Sequence, residues 1–111
     1  RAQDSVQIIV DILRPIYFPT AFSPNGDGIN DAFVPFGNNT QIVRILDFQV
    51  FDRWGESVFI NTDFQPNDPA QGWDGRLKGQ PMNPAVFVYS ATVEFVDGKV
   101  LNFNGDVTLL R

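Results

Sequence analysis

The sequence predicts an all-β domain, specifically an immunoglobulin-like antiparallel β-sandwich of about seven strands. Composition is the first reason: eleven Phe, two Trp and two Tyr stand against nine Gly and eight Pro, the balance of short pleated segments joined by tight turns. The second is the scarcity of surface helix formers, with two Lys and two Glu in the chain. The third is a series of alternating apolar runs separated by turn signals. At 111 residues the chain has room for one core, and a fold of this size is feasible without metal or disulfide. Periodicity alone leaves a small barrel open.

The elements follow in order. Ser5 to Leu13 alternates, with Val6, Ile8, Val10 and Ile12 on one face, and is expected to be a strand. Pro15 and Pro19 force an extended edge through Tyr17 and Phe18. Residues 22 to 31, FSPNGDGIND, form the densest turn segment. Ala32 to Phe36 reads as a short strand, Gly37-Asn38-Asn39 as a turn, and Ile42 to Phe51 as a long strand, apolar on both faces and therefore central.

FDRWGESVF fits a hairpin with the loop Arg53-Trp54-Gly55, Gly55 taking the left-handed position after a type I turn. That register sets Val50 opposite Val58 and Phe48 opposite Ile60. Asn61 to Asn83 reads as a long loop anchored by Phe64, Trp73, Leu77 and Met82. For the last hairpin, a two-residue Asp97-Gly98 turn would pair Val93 with Asn102, apolar against polar. Slipping by one residue pairs Phe95 with Leu101, Val93 with Phe103, Tyr89 with Val107 and Phe87 with Leu109, which is the register expected here, around Asp97-Gly98-Lys99.

What is missing excludes much. There is no cysteine for a disulfide or thiolate, and no histidine, the commonest general base and metal ligand. The four serines lie in no nucleophile pattern, and no phosphate-cradling glycine loop is present. An enzyme is not expected. A net charge of −5 argues against nucleic acid and anionic membranes, and no apolar run is long enough to span a bilayer. The isolated domain is expected to be monomeric. A chain opening at Arg1 without methionine is expected to come from a longer precursor.

Acidic charge is almost entirely aspartate, eleven against two Glu. Ser23, Asn25 and Asp27 occupy positions one, three and five of a calcium-type loop, Ile29 offers its carbonyl at seven, and Asp31 sits at nine. Val34 at position twelve removes the bidentate carboxylate. Calcium is one reading of this loop, and a chain of Asx turns capped by its own amides is the other. Trp54 and Trp73 invite a similar choice between an aromatic platform for a sugar or partner and lids folded back on the core, the commoner fate in a small domain. Arg53 reads either as a docking residue or as an ion-pair partner of Asp52 or Glu56.

Taken together, FSPNGDGINDAF (22 to 33), FDRWGESVF (51 to 59), GWDG (72 to 75), AVFVYSATV (85 to 93) and GDVTLLR (105 to 111) resemble, in order and spacing, the gliding-motility-associated C-terminal domain, the type B sorting domain of the type IX secretion system of Bacteroidota. The resemblance covers residues 15 to 111. Ala85 stands where the family usually has glycine, and Phe87 where it has tyrosine. Residues 1–14 fall outside the pattern and are expected to be the end strand of a preceding domain or a linker.

The resemblance implies a non-catalytic signal, exported to the periplasm, then recognised by the type IX translocon and a dedicated outer-membrane partner. It would carry a large passenger across the outer membrane to the cell surface or extracellular space, without inserting in the membrane itself. Docking is expected at one end of the sandwich, at the 23–31 loop and through Arg53, Trp54, Gly55, Trp73, Asp74, Gly75 and Arg111, with extension of an exposed last strand by a partner strand as the other mode. The competing reading is a surface adhesion or carbohydrate-binding module stabilised by calcium.

Overall fold

A computed structural model describes residues 16–111 apart from Asp27 and Ile29. The strand expected at Ser5 to Leu13 and the joint at Arg14-Pro15 lie outside the described residues. The architecture is an all-β sandwich. Its main layer is a mixed five-stranded sheet in the order β2-β9-β8-β4-β5, built from β2 (Ala21–Phe22), β4 (Ile42–Phe51), β5 (Ser57–Phe64), β8 (Ala85–Phe95) and β9 (Val100–Leu109). Two short pairs cover it, β1 (Ile16–Tyr17) with β3 (Phe36–Gly37) and β6 (Arg76–Leu77) with β7 (Gln80–Pro81). Nine strands among the described residues thus replace the seven expected, because the covering layer is broken into two-residue pairs.

Alternation in the long strands decides which way they face. In β8, Phe87, Tyr89, Ala91, Val93 and Phe95 are all buried, and in β4 the inward positions are Ile45, Phe48 and Val50. The β4 strand lies between β8 and β5, as its two apolar faces require. The second layer contributes aromatic anchors in place of long strands. Phe22, Phe33 and Trp73 are almost fully buried, with the Phe22 and Phe33 rings 6.0 Å apart and Trp73 edge-on to Phe87 at 4.8 Å. Phe18 stacks on Tyr89 at 4.7 Å. Each such side chain contributes about 2–3 kcal/mol on burial, so a few anchors hold loops that have little ladder bonding of their own.

The segment Ala32 to Phe36 is less regular than its composition suggests. Phe33 makes an isolated bridge with Trp73, and only Phe36 enters a strand. The turn after it forms with Asn38 Oδ1 accepting from the Thr40 amide at 2.9 Å. Asn61 to Asn83 is not one loop: β5 runs to Phe64, a 3-10 turn spans Pro69–Gln71, and β6 and β7 form a hairpin. Its anchors are as expected, with Phe64 and Trp73 buried and Leu77 and Met82 packed against the core.

Both hairpin registers differ from the sequence expectation. At the first, the Asp52 amide bonds Glu56 O at 2.9 Å around Arg53-Trp54-Gly55, and Phe51 lies opposite Ser57. A bulge then shifts the ladder, so Val50 faces Phe59 and Phe48 faces Asn61. The extra residue lets both Val58 and Phe59 turn toward the core, which leaves Ile60 outside.

At the second hairpin the slip runs the other way. The Phe95 amide bonds Lys99 O at 2.8 Å around Val96-Asp97-Gly98. Val93 therefore faces Leu101, Ala91 faces Phe103, Phe87 faces Val107 and Ala85 faces Leu109. Gly98, at φ +88°, becomes the last loop residue, where a left-handed conformation is needed. Apolar still meets apolar, because the shift is two residues and preserves the faces. Tyr89 now lies opposite Gly105, and a Cβ there would sit 2.9 Å from the phenol oxygen.

Candidate functional site

Topology gathers the sequence motifs at one end. Since β2 runs parallel to β9, and β9 and β4 both run antiparallel to β8, four points share that end: the exits of β2, β9 and β4 and the start of β8. The 23–31 loop, the Arg53 hairpin and the Gly72-Trp73-Asp74-Gly75 segment therefore lie at one end of the sheet, and the first and last of them meet. A Cβ built on Gly75 would lie 3.2 Å from both Leu109 Cδ1 and Pro24 Cγ and 3.3 Å from Arg111 Nη2.

Most of these residues have internal work. Trp73 is 1% exposed; its backbone pairs with Phe33 in both directions, at 2.8 and 3.0 Å, and its indole Nε1 donates to Arg76 O at 2.9 Å. Gly72 is present because nothing else fits, a Cβ there falling 2.5 Å from Phe33 O. Asp74 Oδ1 accepts from the Arg76 amide at 3.1 Å, and Gly75 turns at φ +81°. Arg111, at the end of the chain, reaches back to the Met82 and Gly75 carbonyls. Trp73, Asp74, Gly75 and Arg111 thus build the end of the sandwich.

The 23–31 loop is organised by Asp31. Its Oδ1 accepts from the Gly26 amide at 3.0 Å and its Oδ2 from the Gly28 amide at 2.7 Å, while the Ser23 amide bonds Asn30 O at 2.8 Å and the Asn25 amide bonds Ser23 O at 2.8 Å. Asp27 and Ile29 lie outside the described residues. Among the described residues no group of three or more acidic side chains is placed to hold a metal ion.

The Arg53-Trp54-Gly55 hairpin is the exception to this pattern. Asp52 Oδ1 accepts from the amides of Trp54 and Glu56, both at 2.9 Å, and Gly55 sits at φ +85°, so the backbone is fixed. The side chains it carries are not. Trp54 is 84% exposed. Among the described residues Arg53 is paired with neither Asp52 nor Glu56: the Asp52 carboxylate is occupied as a turn cap. Arg53 and Trp54 line a shallow pocket of about 220 Å³ with Met82, Asn83, Ala85 and Val86. The lid reading therefore holds for Trp73 and fails for Trp54, and a platform of two tryptophans is not formed.

Sequence reasoning overlooked the outer sheet face beside this hairpin. Val86, Val88 and Ile60 are exposed there, and Phe51 pairs with Val88 across the ladder. The signal was present in β8, whose outward positions read Val86, Val88, Ser90, Thr92, Glu94: apolar at one end, polar at the other.

Residues 16–109 match the CHU_C type IX secretion signal domain. The chain belongs to this family. Comparison with curated proteins gives no match. A type IX secretion signal domain acts as a sorting signal, which implies interaction with the type IX machinery and export to the cell surface or extracellular space. The match leaves out residues 1–15 and 110–111.

Proposed function

We propose that this domain is the C-terminal address of a large passenger protein, read after export to the periplasm by the type IX translocon and a dedicated outer-membrane partner that together move the passenger across the outer membrane. The domain does no chemistry and is recognised as a folded object. Residues 1–14 belong to the preceding module or its linker.

The observation that carries the docking assignment is Trp54. A tryptophan left 84% exposed on a hairpin pinned through the amides of Asp52, Trp54, Gly55 and Glu56 presents a large amphipathic surface at little ordering cost. The other motif residues at this end are occupied in building it, so recognition falls to Arg53 and Trp54, with Gly55 shaping the turn.

The test fuses the 111-residue chain to a periplasmic reporter in a host with a working type IX system. The reporter is expected at the cell surface, and in the periplasm for Trp54→Ala. A folded wild-type fusion that stays periplasmic overturns the sorting role; normal export of Trp54→Ala overturns the docking site.

A further inference from the structure

The outward face of the main sheet is divided. Toward the β8–β9 turn it carries a bonded polar network, with the exposed Val100 opposite Glu94 at its margin: Arg44 Nε pairs with Glu94 Oε1 at 3.0 Å and Nη1 with Asp63 Oδ1 at 3.3 Å, while Asn102 Nδ2 donates to Ser90 Oγ and Thr92 Oγ1, both at 3.1 Å. At the Trp54 end the same face is apolar. Val88 lies between Phe51 and Asp106 in the ladder and Val86 beside Thr108, while Ile60 stands one rung further in, on the rung of Gln49 and Ser90 and diagonal to Phe51. Ile60 is 59% exposed and Val86 46%, and Val86 also lines the pocket under Trp54 and Arg53. A solvated sheet face normally alternates to polar residues, and a contiguous apolar area on a small domain marks a contact surface.

The charges around this area are unbalanced. Among the described residues Asp106 stands beside Val88, and Asp52 and Glu56 bracket the hairpin, three carboxylates against Arg53 and an Arg111 engaged with the Met82 and Gly75 carbonyls. The chain as a whole carries −5, which opposes a second copy of itself as the occupant. We propose that the Trp54, Phe51, Val86, Val88 and Ile60 surface docks a partner-protein segment with an aliphatic centre flanked by lysine or arginine. The apolar contact supplies affinity and the carboxylate rim orients the approach. This deepens the sorting-signal reading and rests on it.

Trp54 reports the contact directly, because the other tryptophan is buried. The purified 111-residue chain is titrated with three synthetic peptides, alternating Lys-Val, Glu-Val and Lys-Ser, while fluorescence is followed. Lys-Val is expected to give a saturable blue shift, with Glu-Val and Lys-Ser weaker by on the order of tenfold. Val88→Lys and Asp106→Lys each weaken Lys-Val binding by a similar factor at unchanged melting temperature, whereas Thr92→Lys, on the polar end, does not. If Val88→Lys fails to fold, Val86→Thr takes its place. Equal binding of Glu-Val or Lys-Ser, or wild-type binding by Val88→Lys or Asp106→Lys, overturns the proposal. Export of the reporter without Lys-Val binding removes this surface and keeps the sorting role; Lys-Val binding without export does the reverse.

Discussion

The Arg111 guanidinium bonds the Met82 carbonyl twice, from Nε at 3.0 Å and from Nη2 at 2.9 Å. Nη2 also reaches Gly75 O at 3.0 Å, and Gly75 O accepts the Met82 amide at 2.9 Å. One side chain beyond the last strand therefore closes the base of the β6–β7 hairpin. Arg111→Ala is expected to cost about 1–2 kcal/mol, since these are charge-assisted bonds partly open to water, and to speed hydrogen exchange at the Met82 amide. Arg111→Lys keeps the charge without the fork and recovers only part of the loss. Unchanged melting and exchange in Arg111→Ala would show that the clamp contributes nothing.

The two tryptophans are expected to separate stability from recognition. Trp73→Ala removes a core side chain and its Nε1 bond to Arg76 O, at about 3–5 kcal/mol; at this size that lowers the melting temperature by more than 10 °C, at about 4–8 °C per kcal/mol. Trp54→Ala is expected within about 0.5 kcal/mol of wild type. Thermal melts of both variants check this, and a large loss in Trp54→Ala would mean that the exposed indole supports the fold.

Asp31 is expected to behave as a cap. Asp31→Ala orphans the Gly26 and Gly28 amides, which solvent can partly satisfy, for a loss of about 1–2 kcal/mol. Melts in chelator and in excess calcium distinguish the two readings of the loop. The same loss in both media fits turn chemistry, whereas wild-type stabilisation by calcium that disappears in Asp31→Ala identifies a ligand.

Tyr89 is expected to make the fold sensitive to alkali. Burial first, and the nearby Asp106 charge second, push its phenol above the ordinary value of 10.0, so the folded state favours the neutral form. The stability gained is complete below the unfolded pKa of about 10 and is lost as pH rises through the folded value. Melting temperature is expected to fall from roughly pH 10 upward, and less steeply in Tyr89→Phe. Parallel curves for the two proteins would exclude Tyr89 as the cause.

The long elements were legible because their pattern is local. Ile42–Phe51, the hairpin loop Arg53-Trp54-Gly55 and the inward set Phe87 to Phe95 follow from alternation and one glycine position. The registers were harder. Two registers of β8 with β9 both keep apolar facing apolar, and the deciding facts are the left-handed loop position of Gly98 and the space Tyr89 needs over Gly105, the second visible only once the strands are placed. The β4–β5 bulge likewise depends on how Val58 and Phe59 share the core.

The sequence by itself determined an all-β domain without thiol or imidazole chemistry, and through its ordered motifs the family to which it belongs. Only the tertiary structure decided which motif residues build the fold and which are left to be recognised. Trp54 and Trp73 stand in similar turn contexts in the sequence, and they part because the Phe33 backbone pairs with Trp73 and draws its indole between Phe22 and Phe87, while among the described residues no strand or loop covers Trp54. Burial is a property of what packs on a residue, and the partners here come from distant parts of the chain.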